Sequence, residues 1–254
     1  MNRKILKNLL ILLGPLFLLF LWCIIPCLGL INEVFLPKPI LILREIFNAF
    51  INGGALKDFL YTFFRTIAGF IFASIWSIPA GLVIGYYTGV YRTFEFLIDF
   101  FRSLPATALI PLALIVFGAN TEIARIFVVF FAGGLVLLMN TAYGVKNRNR
   151  TRMDIAVTCG ASSKQKFITV ILRDALTDIF AGLRVCLSLS LVLVIVSEMF
   201  IGTKFGLGHR IYDAQLMNHI AEMYGFIFIT GLMGYFINKS YMLIENRIIH
   251  WKSI

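Results

Sequence analysis

The chain has 254 residues, of which 59% are hydrophobic and only 14% charged, against roughly 25% in an ordinary soluble domain. A chain of this length with so few charges cannot cover its exterior with polar groups. That excludes a water-soluble globular domain and leaves lipid as the medium for its surface. The formal charge of +10 does not read as nucleic-acid binding: the lysines and arginines gather between apolar runs, as topology signals do, and no nucleic-acid motif accompanies them.

A spanning helix needs about 20 mainly apolar residues. Segments of that kind occupy residues 9–31, 59–87, 94–117, 123–145, 175–201 and 224–244. None alternates as a barrel strand would, and a backbone in lipid must satisfy its own hydrogen bonds, so each reads as a helix. The expected fold is all-α, a polytopic membrane bundle of about six helices forming a single domain over residues 1–254. The first run is longer than the roughly 7–15-residue apolar core of a signal peptide and stays bulky near its end, so it reads as a retained transmembrane helix. Between the first two runs, Pro37 and Pro39 precede a mildly amphipathic stretch, residues 40–50, expected as a short helix at the membrane surface. Gly81, Gly85 and Gly89 recur at four-residue spacing in the second run, a pattern for close helix packing. The loop after the fifth run holds Gly202, Gly206 and Gly208, with room for a bent or partly re-entrant path. There is no low-complexity segment and no convincing internal repeat.

Placing both termini in the cytoplasm puts Arg3, Lys4, Lys7, Arg92, Arg247, Lys252 and the cluster from Lys146 to Arg173 inside, and leaves Lys38, Arg44, Lys57, Arg125, Lys204 and Arg210 outside. The positive-inside rule favours that orientation, and termini on one side require an even number of spans. The longest cytoplasmic segment is then residues 146–174.

Within that segment lies Asp154-Ile155-Ala156-Val157-Thr158-Cys159-Gly160-Ala161-Ser162. Asp154 is expected near the start of a short helix, where the helix dipole favours a carboxylate. Gly160 suits a helix end, where a left-handed backbone is easy, and Ser162 or Ser163 suits the cap of a second helix. The result is a protruding helix–turn–helix, which on these residues alone is also compatible with an ordinary amphipathic connector.

The segment resembles the cytoplasmic signature loop of ABC-importer permeases: Glu-Ala-Ala, three residues, Gly, nine residues, Ile, one residue, Leu-Pro. Asp154 matches the Glu, Ala156 the second Ala, Gly160 the Gly and Leu172 the Leu; Ile155 and Val170 replace Ala and Ile, and Arg173 stands where the motif has Pro. Other stretches are similar to the nitrate/sulfonate/taurine-type branch: Leu36-Pro37-Lys38-Pro39, Arg65-Thr66-Ile67-Ala68-Gly69-Phe70, Arg102-Ser103-Leu104-Pro105, Gly182-Leu183-Arg184, Glu198-Met199 and Gly206-Leu207-Gly208. The resemblance covers residues 33–252. It implies a type I importer permease of the bacterial inner membrane. Its partners would be cytoplasmic ATPase subunits, an extracytoplasmic solute-binding protein and a second permease copy, as a homodimer. Asp154, Ala156, Gly160, Ala161 and Ser162 would form the ATPase-coupling element. The branch carries small oxyanions, and relatives carry vitamin precursors. The alternative is a secondary transporter driven by an ion gradient, a class that often shows internal symmetry.

The chain has no phosphate-cradling Gly-x-x-x-x-Gly-Lys-Ser/Thr loop, so the energy of an ATP-driven pump would have to come from another subunit. His209, His219 and His250 are scattered, and Cys23, Cys27, Cys159 and Cys186 fit neither a metal spacing nor a disulfide framework, so neither metal nor cofactor is expected. No nucleophile elbow is present, and Glu33, Glu45, Glu122, Glu222 and Glu245 read as loop or interface charges. A charge at the bilayer centre costs about 2.5–3.5 kcal/mol on insertion scales, so Arg65, Asp99, Arg102, Arg184, Glu198 and Lys239 must face protein, water or an interface. Arg65 and Glu198 fall towards the outer side as a possible structural pair. Arg102 and Arg184 fall towards the inner half, as candidates to assist an anionic solute.

Overall fold

The computed structural model describes residues 3–29, 31–32, 34–118, 121–200 and 203–249. Glu33, Gly202, His250, Lys252 and the last residue of the fifth predicted run lie outside them. Among the described residues every regular element is helical. Helix α1 (Arg3–Cys27) covers the first apolar run up to residue 27, after which the chain turns at 28–29, and α2 (Pro39–Ile51) follows with Pro39 at its first position, where a missing N–H costs nothing. Among the described residues, four continuous helices are long and apolar enough to cross a membrane: α3 (Ala55–Tyr86), α6 (Glu122–Lys146), the helix Ser163–Phe200, and α11 (Ile220–Ile248).

The third predicted run is not one straight helix. Helix α4 (Thr88–Ser103) ends at Leu104, a single 3₁₀ turn covers Ala106–Ala108, and α5 (Leu109–Phe117) leaves at 83° to α4. The cause is Pro105. The residue before a proline is disfavoured in the helical region, and Leu104 is extended at φ −73°, ψ 134°.

Helices α3, α6 and the Ser163–Phe200 helix form the packed centre. Arg65 near the start of α3 meets Glu122 at the start of α6 and Glu198 near the end of the Ser163–Phe200 helix. At the other end, Tyr86 stacks edge-on against Phe167 with centroids 5.6 Å apart. So α3 and α6 run parallel, and the Ser163–Phe200 helix runs against both. Small residues allow the close approach. A Cβ on Gly81 would lie 2.7 Å from the Leu138 carbonyl oxygen, and one on Gly85 would lie 2.6 Å from that of Ala142. Gly89 does not continue this stripe: it sits in α4, with nothing within 4 Å of where its Cβ would be. Cys186 is wholly buried in the centre, whereas Cys23 and Cys159 are exposed.

Helix α11 covers the centre, joined by Tyr241 Oη donating to the Phe180 carbonyl at 2.8 Å. Helix α2 lies on α11, with Ile46 over Gly225. Trp22 attaches α1 through an indole hydrogen bond to the Pro37 carbonyl at 3.2 Å and a ring contact with Tyr224. The glycine-rich segment after the fifth run turns into a short helix, α10 (Leu207–Leu216), whose Leu207 and Ile211 join Leu191 and Phe226 in one apolar cluster. Large apolar side chains such as Phe47, Phe64, Phe96, Ile115 and Phe236 stay exposed, as a lipid-facing surface requires.

Because overpacking a filled interface costs about 1–3 kcal/mol, Gly85→Ala should lower unfolding stability in mixed micelles by that amount. Gly89→Ala should leave it unchanged or slightly higher, since Ala is the better helix former by about 0.5–1 kcal/mol.

Candidate functional site

Two features stand apart from ordinary apolar packing, one at each end of the centre. The first is the hairpin between α6 and the Ser163–Phe200 helix. Helix α7 (Arg150–Thr158) is capped by the Asn149 side chain, which accepts from the Arg152 N–H at 3.1 Å. It ends in a paired C-terminal turn: Gly160 N–H donates to the Val157 carbonyl at 2.9 Å, and Ala161 N–H donates to the Ala156 carbonyl at 3.0 Å. This is the Schellman arrangement, and it needs a left-handed residue at Gly160, whose φ is +70°. Half-buried Ala156 and Ala161 bracket the turn where that motif places its small apolar contact.

Helix α8 (Ser163–Lys166) then starts with a reciprocal capping box. Gln165 N–H donates to Ser162 Oγ at 3.3 Å, and Ser162 N–H donates to Gln165 Oε1 at 2.8 Å. A π-turn at Phe167–Ile171 leads without a break into α9 (Leu172–Phe200). There is no break where the motif has its Pro. With Arg173 where the motif has Pro, the helix keeps its N–H donor and continues as one 38-residue rod, about 57 Å long. Asp154 is exposed in the second turn of α7 rather than near its start, because the helix begins at the Asn149 cap. The carboxylate at that helix start is Asp174, from α9. It accepts from Asn149 N–H at 3.1 Å and pairs with Arg152.

The second feature is a buried ion network at the opposite end. The Arg65 guanidinium forms a two-pronged contact with Glu122, through Nε at 2.5 Å and Nη2 at 2.7 Å. Its Nη1 donates to Glu198 and to the Phe205 carbonyl, each at 2.7 Å. Glu198 is fully enclosed and also receives the Gly208 N–H at 2.9 Å and the Thr62 hydroxyl. Thr62 Oγ1 in turn accepts from Leu207 N–H at 2.9 Å. Beside it, Asp58 receives Gly206 N–H and Arg210 Nε, each at 2.8 Å.

Two glycines make this fit. Gly206 has φ +143°, and a Cβ there would collide with the Glu198 carboxylate; one on Gly208 would collide with the Ile195 carbonyl. The motif pieces Glu198-Met199 and Gly206-Leu207-Gly208 are thus two halves of one site. Arg102 and Arg184 do not join it. Arg102 is exposed, 3.6 Å from Asp99, and borders a cavity of about 90 Å³ with Phe131 and Leu189. Arg184 is exposed and donates to Met242 Sδ at 3.3 Å.

Sequence reasoning missed Glu122, Asp58, Arg210 and Asp174. Three of the four carry a readable signal. Asp58, Thr62, Arg65 and Gly69 fall at helical spacing on one buried face of an apolar helix. Glu122 precedes Arg125 by three positions, and the two lie 3.4 Å apart. Arg210 sits two residues after the glycine pair. Asp174 carries no such local signal.

Residues 77–251 match the family of binding-protein-dependent transport system inner membrane components. The chain belongs to that family and is a permease component of an ABC transporter. It is 30% identical to a putative ABC transporter permease protein of Methanocaldococcus jannaschii over 88% of this chain and 85% of that one. A bicarbonate transport system permease protein of Synechococcus elongatus is 29% identical, over 94% of this chain and 88% of its own. A putative aliphatic sulfonates transport permease protein of Bacillus subtilis is 24% identical, over 95% of this chain and 87% of its own. In three dimensions, a chain of the MetNI methionine ABC transporter in inward-facing conformations superposes with TM-score 0.63 at 17% identity, covering 82% of this chain and 96% of that one. The fold is that of a type I importer permease.

Removing one partner from a buried pair leaves an uncompensated charge, at a cost of about 3–5 kcal/mol. Arg65→Ala, which strands the enclosed Glu198, should reduce folded protein in detergent to that degree, and Glu198→Ala by less, because Arg65 keeps its two-pronged contact with Glu122. Arg65→Met combined with Glu198→Leu should recover part of the loss, as read by fluorescence-detected gel filtration after heating.

Proposed function

We propose that this chain forms half of the translocation path of an ATP-driven importer and that residues 146–174 are its coupling loop, gripped on the cytoplasmic side by a separate ATPase subunit. A second copy of the chain completes the path, and an extracytoplasmic binding protein delivers the solute. Both termini lie in the cytoplasm, as the distribution of lysine and arginine favours. Hydrolysis belongs to the partner, since this chain has no phosphate-binding loop of its own. The cargo is a small anion, in keeping with relatives named for sulfonates and bicarbonate.

The observation that supports this reading best is the shape of the hairpin. Asp154, Ala156, Gly160, Ala161 and Ser162 lie on a short helix, a locked turn and a capped second helix, and that second helix is the first turn of a rod crossing the whole bundle. Such an element is rigid, exposed, and joined directly to the membrane core.

Gly160 is the residue to test. A Cβ there meets nothing within 4 Å, so a substitution fits sterically, but a β-branched residue at φ +70° is strained by about 1–2 kcal/mol and opens the turn. Gly160→Val should therefore still accumulate in the membrane while ATP-dependent uptake of radiolabelled bicarbonate or taurine by vesicles falls at least tenfold. Normal uptake by that variant, or uptake by the purified chain without any ATPase, would overturn the proposal.

A further inference from the structure

Resting on the coupling role of the hairpin, a narrower question is what keeps α7 from swivelling when it is pushed. Helix α7 follows α6 after only a short link, and α8 is a single turn. Neither segment packs deeply: the described side chains of α7 are exposed or half-buried. The connection that fixes α7 to the membrane core comes from further along the chain. Asp174, in the first turn of α9, is mostly enclosed, with 12% of its side chain exposed. One of its oxygens takes the backbone N–H of Asn149, the residue that caps α7, and the other takes the Arg152 guanidinium from the first turn of that helix. The Asn149 side chain closes the circuit by accepting the Arg152 backbone N–H. One carboxylate thus holds the cap and the first turn of α7 together against the root of the rod, whose neighbouring residues Ile171 and Ala175 are almost fully buried.

We propose that Asp174 is a positioning residue for energy coupling. By clamping Asn149 and Arg152 it makes α7 and the Ser163–Phe200 rod one stiff body, so that displacement of α7 travels along α9 to the Arg65–Glu198 network instead of being lost in the links around α7. A carboxylate is required for this role. It accepts from two donors in different directions and supplies the charge that draws in arginine. Asparagine keeps only one accepting oxygen, and alanine keeps neither.

The test uses the transporter purified with its ATPase in lipid nanodiscs. Spin labels on the exposed native Cys159 at the end of α7 and on Val185→Cys, exposed on α9, report the hinge, with Cys23 and Cys27 replaced by Ser, Cys186 by Ala, and labelled chains diluted into unlabelled ones. The parent should give a narrow distance distribution. Its width should at least double in Asp174→Ala and in Arg152→Gln and return to the parent value in Asp174→Glu. In a second readout, the exposed Lys204→Cys near the far end of α9 is labelled by an impermeant maleimide before and after vanadate trapping of ATP. Trapping should change the labelling rate severalfold in the parent, and less than a fifth of that change should remain in Asp174→Ala while the ATPase still co-purifies.

A full trapping response in Asp174→Ala would overturn the inference. So would loss of the ATPase from that variant, which would make Asp174 a docking residue rather than a transmitting one. Should Asp174→Ala fail to fold, Arg152→Gln, at an exposed position, carries both readouts. A parent chain that binds no ATPase would instead sink the coupling reading on which the inference stands, and the hinge-width measurement separates that failure from this one.

Discussion

A glutamate held inside an apolar bundle must be compensated completely, and much of the architecture follows from how Glu198 is served. Its oxygens receive a guanidinium, a threonine hydroxyl and a backbone amide. The donors come from two parts of the chain, α3 and the segment after α9, so they fix two placements. Arg65 and Thr62 set how α3 is rotated and how far it slides along α9. Gly208 sets where the chain re-enters after α9, which seats α10 against α11. Glu122 brings the start of α6 to the other side of Arg65. Desolvating several charges in such a place is expensive, and the gain is specificity of arrangement more than stability. The pairs suit a transporter because they are directional: they hold one geometry firmly and lose most of their strength when the donors move apart.

Close packing makes this placement mechanically useful. Gly81 and Gly85 let α3 approach α6 to backbone contact, and Gly182 lets α9 approach Asn140 of α6. The three helices therefore have little slack along most of their length. A rod that enters this trio with an exposed hairpin at one end and a buried carboxylate at the other links the two sites through covalent backbone. Coupling across the membrane then needs no long chain of side-chain contacts, which is the simplest physical form such communication can take.

Much of this was legible before the structure. Apolar length gave the helices, and the spacing around Gly160 gave the hairpin, because both depend on rules that act within a few residues. The straight third run was misread because its composition outweighed a single proline: Pro105 turns the chain by 83° without altering how apolar the segment looks. Asp154 lies a turn further into the helix than its sequence neighbourhood suggests, because Asn149 caps α7 and Arg152 is already in its first turn. Gly89 was grouped with two packing glycines on spacing alone, although the helix that would carry the pattern ends at Tyr86. Glu122, Arg210 and Asp174 were hardest to assign, because their partners lie 57, 152 and 22 to 25 positions away and no local pattern names a partner at such distances.

The π-turn at Phe167–Ile171 has a geometric consequence of its own. An additional residue in one turn advances helical phase by about 100° while leaving the axis nearly straight. Faces on the two sides of the turn are therefore offset. Val170 and Ile171 can point into the bundle while Ser163 and Lys164, less than two turns earlier, face solvent on the same continuous helix. Tyr86, edge-on to Phe167, holds the wound segment at the end of α3. Were that turn to tighten to α-geometry with every residue kept, the sector of α8 now open to solvent would rotate by about 100°, and the hairpin would present a different side to whatever approaches it.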